Sequence, residues 1–164
     1  MAFKHVTPRI GGQPIADTST TALHTLGERA FARDTDRLQA EFIYLLGVAN
    51  TAVGSWVTFN PDAHSTTLLV PDAIGPVAIA MSANVASQYG WYQIYGDASA
   101  SAADVADSAA VYIDTVTGRC DDAAVTGDRV WNATWRSDDD TATNLADVSI
   151  HYPFVNDALN AGTT

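Results

Sequence analysis

Gly90-Trp91-Tyr92-Gln93-Ile94-Tyr95-Gly96 sets three aromatic rings and an isoleucine between two glycines. An extended chain sends alternate side chains to opposite sides, so Trp91, Gln93 and Tyr95 share one face and Tyr92 and Ile94 the other. Aromatic and β-branched side chains suit a pleated surface. The bracketing glycines permit a tight turn or a close backbone approach. The stretch therefore predicts a strand, and its neighbours repeat the pattern.

Upstream, Ala40-Glu41-Phe42-Ile43-Tyr44-Leu45-Leu46 is apolar on both faces, which predicts a central strand. Ser55-Trp56-Val57-Thr58-Phe59 alternates and stops at the turn signal Asn60-Pro61-Asp62. Thr66 to Val70 ends at Pro71-Asp72, and Pro76-Val77-Ala78-Ile79-Ala80-Met81 starts on a proline, as a strand can. Downstream, Ala110 to Asp114, Arg129 to Trp135 and Ala146 to Tyr152 read as further strands, the last closed by Pro153-Phe154. The Ala-rich piece from Ala98 to Ala106 reads as a loop or one helical turn. Eight or nine short strands at roughly ten-residue spacing, punctuated by Gly, Pro, Asn and Asp, predict an all-β antiparallel sandwich or barrel. No repeat of solenoid length is visible. Residues 1–27 carry turn formers and small polar residues with little periodicity, and read as an extended arm ahead of a β-domain over 28–164.

The chain has 164 residues, 47% of them hydrophobic, enough for one domain with a real core. Its formal charge is −11, from 8 basic and 19 acidic side chains, and Lys4 is the only lysine. Nucleic-acid affinity rests mostly on Lys and Arg displacing counterions, so a nucleic-acid partner is not expected. The start, Met1-Ala2-Phe3-Lys4-His5, lacks the apolar region of a signal peptide, and the apolar run near Phe42 to Ala49 is too short to span a bilayer; no membrane partner is expected.

Signals for chemistry are weak. His5, His24, His64 and His151 show no metal-ligand spacing and read as scattered surface histidines. No GxSxG elbow occurs, and Cys120 stands alone beside Asp121-Asp122, whose charge weakens a thiol nucleophile. The runs Asp121-Asp122 and Asp138-Asp139-Asp140 lack the spacing of a calcium loop and read as solvated turns. No catalytic residue, metal or cofactor is expected. Trp56, Trp91, Trp131 and Trp135 all lie in strand-like alternation, which favours core or interface packing over a sugar-stacking platform.

In the order of these segments the chain resembles the capsid decoration, or cement, proteins of tailed bacteriophages. The likeness runs from Ala40-Glu41-Phe42-Ile43-Tyr44-Leu45-Leu46-Gly47-Val48 through Gly54 to Phe59 and Gly75 to Met81. It continues in Gln88 to Gly96 and the later Ala-Ala-Val-Tyr-Ile segment, and closes at Pro153-Phe154, covering residues 40–154. The resemblance implies a β-sandwich or β-tulip-like body with an N-terminal arm, clustered as homotrimers. Its implied partner is the major capsid protein on the outer surface of the virion, and its implied role is to stabilise the head without catalysis. On that reading Phe3, Lys4, Pro8, Arg9 and Ile10 of the arm, with Trp91 and Tyr95, are the expected capsid or intersubunit contacts. The rival expectations are a carbohydrate-binding head appendage that uses surface aromatics and, more remotely, a small β-barrel hydrolase or isomerase.

Overall fold

The computed structural model describes residues 4–5, 12–33 and 39–156. Among them the chain forms twelve strands: β1 (Lys4–His5), β2 (Thr18–Ser19), β3 (Arg29–Arg33), β4 (Gln39–Leu46), β5 (Trp56–Phe59) and β6 (Thr66–Leu68), then β7 (Gly75–Ala80), β8 (Tyr89–Ser101), β9 (Ala110–Ile113), β10 (Cys120–Asp121), β11 (Arg129–Trp135) and β12 (Leu145–Val155). The fold is all-β, and the pairings between these strands are antiparallel. The main path runs β1-β3-β4-β8-β7-β12-β11-β9-β10, with β2 on β8 and the β5–β6 hairpin on β7. The sheet folds over on itself in the manner of a sandwich.

β8 is the hub. One edge pairs with β4 from Tyr89 to Tyr95; the other meets β7 at Tyr92 and Gln93 and β12 from Tyr95 to Ser101. Gly96 sits where the partner changes, at φ +97°, and a Cβ there would lie 3.1–3.2 Å from the Gln39 carbonyl and Ala40. Only glycine meets both demands without strain. The alanine-rich continuation is strand as far as Ser101, because Ala98, Ala100 and Ala102 are core residues, and the loop expected there is confined to residues 103–106. Their small side chains leave room for Trp56 and Trp135, whose rings meet edge to face at 6.0 Å.

The core divides into three clusters that use both faces of the central strands. Val77 and Ile79 of β7 join Trp56, Trp135, Val148 and Ile150, while Ala78 and Ala80 join Ile43, Leu45, Tyr92 and Ile94. β4 sends Phe42 and Tyr44 to a third cluster with Ala32, Ile15 and Trp91. Two-sided burial explains why the sequence of β4 is apolar throughout. β3 escaped the sequence reading because its exposed positions are Arg29, Phe31 and Arg33 and only Ala32 is fully buried.

Residues 12–27, read from sequence as part of an arm, lie on the body. β2 pairs with β8 at Tyr89 and Gly90, and Ile15 is buried. Gln13 is the anchor. Its backbone carbonyl accepts from Trp91 Nε1 at 3.0 Å, its Oε1 accepts from the Tyr44 hydroxyl at 2.7 Å, and its Nε2 donates to the Asp17 and Tyr89 carbonyls. Turn-forming composition concealed a segment that closes the core through polar contacts rather than through apolar periodicity.

Replacing Gln13 with Ala leaves the Tyr44 hydroxyl without that acceptor and is expected to lower unfolding free energy by about 2 kcal/mol in urea titration. Gly96→Ala is expected to cost at least ~2 kcal/mol from its backbone conformation and the crowding of Ala40. An unchanged urea midpoint in either variant would contradict the corresponding role.

Candidate functional site

The tryptophans go inward. Trp56, Trp91 and Trp135 are completely buried, and each indole N–H donates to a carbonyl: Ser101, Gln13 and Asp121 respectively. Trp91, for which core or intersubunit packing was expected, takes the core: it packs with Phe42 and Tyr44 inside the chain and has no surface to offer a partner. Trp131 is partly buried, with the Arg129 guanidinium 4.4 Å above its ring.

Tyr95 takes a different course. The β4–β8 register shifts between Glu41 and Phe42, which pair with Tyr95 and Gln93, so Ile94 is an extra residue on β8. A bulge of this kind changes the phase of alternation beyond it. Tyr95 thereby leaves the face it was expected to share with Trp91 and Gln93. Gln93 stays wholly buried and donates to the Tyr95 and Asp97 carbonyls, while Tyr95 is 37% exposed.

A second irregularity stands beside it. β11 and β12 lose register between Trp131 and Ala133, whose partners are Phe154 and Ile150. Asn132 and Tyr152 both take positive φ there, 62° and 53°. The result turns two successive residues, His151 and Tyr152, toward solvent, and β12 runs on through Pro153 to Val155. The Tyr95 ring lies 5.0 Å from His151 and 5.5 Å from Tyr152. The Tyr152 hydroxyl donates to Glu41 Oε2 at 2.5 Å, and Arg29 Nη1 holds Glu41 Oε1 at 3.2 Å. Arg29 also lies 5.8 Å from the Tyr152 ring centroid. The bond to Glu41, together with burial and the carboxylate's charge, raises the Tyr152 hydroxyl above the ordinary tyrosine range.

These contacts build an exposed aromatic and ionic patch: Tyr95, Tyr152 (49% exposed) and Phe31 (48%), tied by Glu41 and Arg29. Phe31 belongs to it because β3 and β4 pair it directly with Glu41. Of these residues the sequence reading proposed only Tyr95. His151, Tyr152, Arg29, Phe31 and Glu41 came together through two bulges that strict alternation does not foresee. Next to the patch, a groove of about 420 Å³ is lined by Asp107, Ser108, Thr134, Arg136, Ser149 and His151.

The expected arm contacts Phe3, Pro8, Arg9 and Ile10 lie outside the described residues, and Lys4 enters only as backbone of β1, paired with Arg33. His24 is not a surface histidine. Its ring packs 5.1 Å from Tyr44 and 4.9 Å from Trp91, accepts from the Gln13 N–H at 3.0 Å and faces Glu28 at 3.5 Å. Cys120 is buried, and burial with the nearby charges of Asp121, Asp114 and Asp128 pushes its thiol well up, away from nucleophilic use.

The acidic runs cap a loop. Asp139 Oδ1, Asp122 Oδ2 and Asp138 Oδ1 accept from the successive N–H groups of Val105, Ala106 and Asp107, each at 3.0 Å. Those carboxylates satisfy backbone donors that no strand partner reaches. Among the described residues, no three His, Cys, Asp or Glu side chains gather as a metal site. Family models, curated proteins and solved structures give no match to this chain.

Asp114, just past the end of β9, accepts from Arg119 and Thr115. Burial pushes its carboxyl up, but the hydrogen bonds from Arg119 and Thr115 and the charge of Arg119 outweigh burial and hold it below the usual range. A depressed folded-state value gives stability that is fully present above the unfolded carboxyl's value, about 4, and is lost as pH falls through the folded one. Urea midpoints measured from pH 6 down to pH 2.5 are therefore expected to fall more steeply for the native chain than for Asp114→Asn. Equal slopes would remove Asp114 from the acid response.

Proposed function

We propose that this chain is a capsid decoration protein that binds the outer surface of a tailed-phage head through the major capsid protein, as a homotrimer, and stabilises the shell by contact rather than by catalysis. The order of strand segments from Ala40 to Phe154 motivates the reading. The observation that carries it furthest is the placement of the N-terminal chain at the sheet edge. β1 pairs with β3 at Ala32 and Arg33, beside the exposed ring of Phe31. The two residues of β1, outermost in the sheet, are a natural place for contact with a neighbouring subunit, since strand edges offer backbone donors and acceptors in register.

The charge supports the same role. A chain at −11 repels nucleic acid, which suits a protein that must recognise the shell rather than the packed genome. Each contact can be modest, because many copies share the load of a lattice. Residues 1–11 are the part assigned to the capsid; Gln13 and Ile15 are committed to the core.

Co-sedimentation with expanded, undecorated heads tests the assignment. The intact chain is expected to saturate in lattice stoichiometry. Removal of residues 1–11, or Phe31→Ser, is expected to weaken binding at least tenfold with the urea midpoint nearly unchanged. Failure of the intact, folded chain to sediment with the heads would sink the proposal.

A further inference from the structure

The groove beside Tyr95 has a chemistry of its own, independent of the capsid role. Its six lining residues are all polar: Asp107, Ser108, Thr134, Arg136, Ser149 and His151. At about 420 Å³ it falls within the range of small-ligand sites, about 300–1,000 Å³. β11 and β12 pair Thr134 directly with Ser149, so both hydroxyls stand on the same face of the sheet. β8 and β12 add Asp97 opposite Ser149 and Tyr95 opposite His151. Ser149 Oγ and His151 Nε2 lie 3.4 Å apart, and the Ser108 hydroxyl donates to Asp107 at 3.2 Å. The Tyr95 ring packs 5.0 Å from His151, which lines this polar floor, and so stands beside the groove.

We infer that this groove is a binding site for a neutral saccharide. A sugar ring carries a rim of hydroxyls, each both donor and acceptor, and an apolar face of C–H bonds. Carboxylate oxygens at Asp107 accept, the Arg136 guanidinium donates through a planar fork, and the hydroxyls of Thr134 and Ser149 do either. Tyr95, packed against His151, supplies a ring that is apolar in body and polar at the tip, suited to the C–H face. Charge decides against an anionic ligand: Arg136 is offset by Asp107 in the groove and by Asp97 at its side, so no net positive field remains to hold a sulfate or carboxylate. Trp56, Trp91 and Trp135 fill the core, in keeping with their strand alternation, and offer no platform for a sugar.

The test uses the full chain without capsids, which separates its failure from that of the decoration assignment. The probe is a printed panel of neutral hexose and N-acetylhexosamine oligosaccharides, with sulfated and sialylated counterparts alongside. Retention on neutral members is expected, nearly independent of salt between 0.05 and 0.5 M, because no charge pairing holds the ligand. Calorimetry on the strongest neutral binder is expected to show at least a tenfold loss for Arg136→Met and for Tyr95→Ser. Arg136 is exposed, so its variant remains informative if the Tyr95 substitution disturbs the β8 bulge. Retention of the charged sugars alone, absence of retention, or affinity unchanged in Arg136→Met each overturns the inference.

Discussion

Everything in this molecule is arranged around the need to satisfy β8 on both edges and both faces. Seven of its thirteen residues are buried, and their backbone donors and acceptors sit out of water. An unpaired buried peptide group costs as much as a lost hydrogen bond, so each stretch of edge must find a partner. No single neighbour is long enough. β4 covers one edge of the first half, and β2, β7 and β12 divide the other between them. The branching of the sheet follows from that division, as does the glycine at position 96 where one partner gives way to another.

Packing answers the same constraint. Large aromatic rings supply most of the bulk, but their polar atoms must be matched inside the core. The carbonyls of Gln13, Ser101 and Asp121 meet the buried indole N–H groups of Trp91, Trp56 and Trp135. That matching binds residues distant in sequence: Gln13 lies 78 positions from Trp91. A segment of low hydrophobicity can then belong to the core, because its contribution is a set of directed hydrogen bonds rather than buried area.

The surface that is open to partners arises where regular pairing fails. Strict alternation along β8 and β12 would have kept Tyr95 with Trp91 and exposed only one of His151 and Tyr152. An extra residue at Ile94, and the register break opposite Asn132, turn these rings outward around Glu41 and Arg29. Bulges are common where a sheet must re-aim a side chain, and here two of them converge on one patch. The proposed capsid edge and the proposed sugar groove flank that patch, one along β3 and the other across β11, β12 and the loop before β9.

The sequence by itself determined the local character of the chain. Apolar alternation at Trp56–Phe59, Tyr89–Tyr95 and Arg129–Trp135, with glycine, proline and asparagine between, was enough to specify strands and an all-β fold. The two-sided burial of Ala40 to Leu46 was legible too, since both faces are written in apolar residues. Only the tertiary structure decided that Ala98 to Ser101 continues a strand, because alanine fits there as the small partner of two indoles and has little strand preference of its own. It alone placed residues 12–27 on the body, through hydrogen bonds that leave no periodic trace in sequence. It alone assembled Tyr95, Tyr152, Phe31, Arg29 and Glu41, because register between strands is set by packing across the whole sheet. A one-residue slip moves a side chain to the other face.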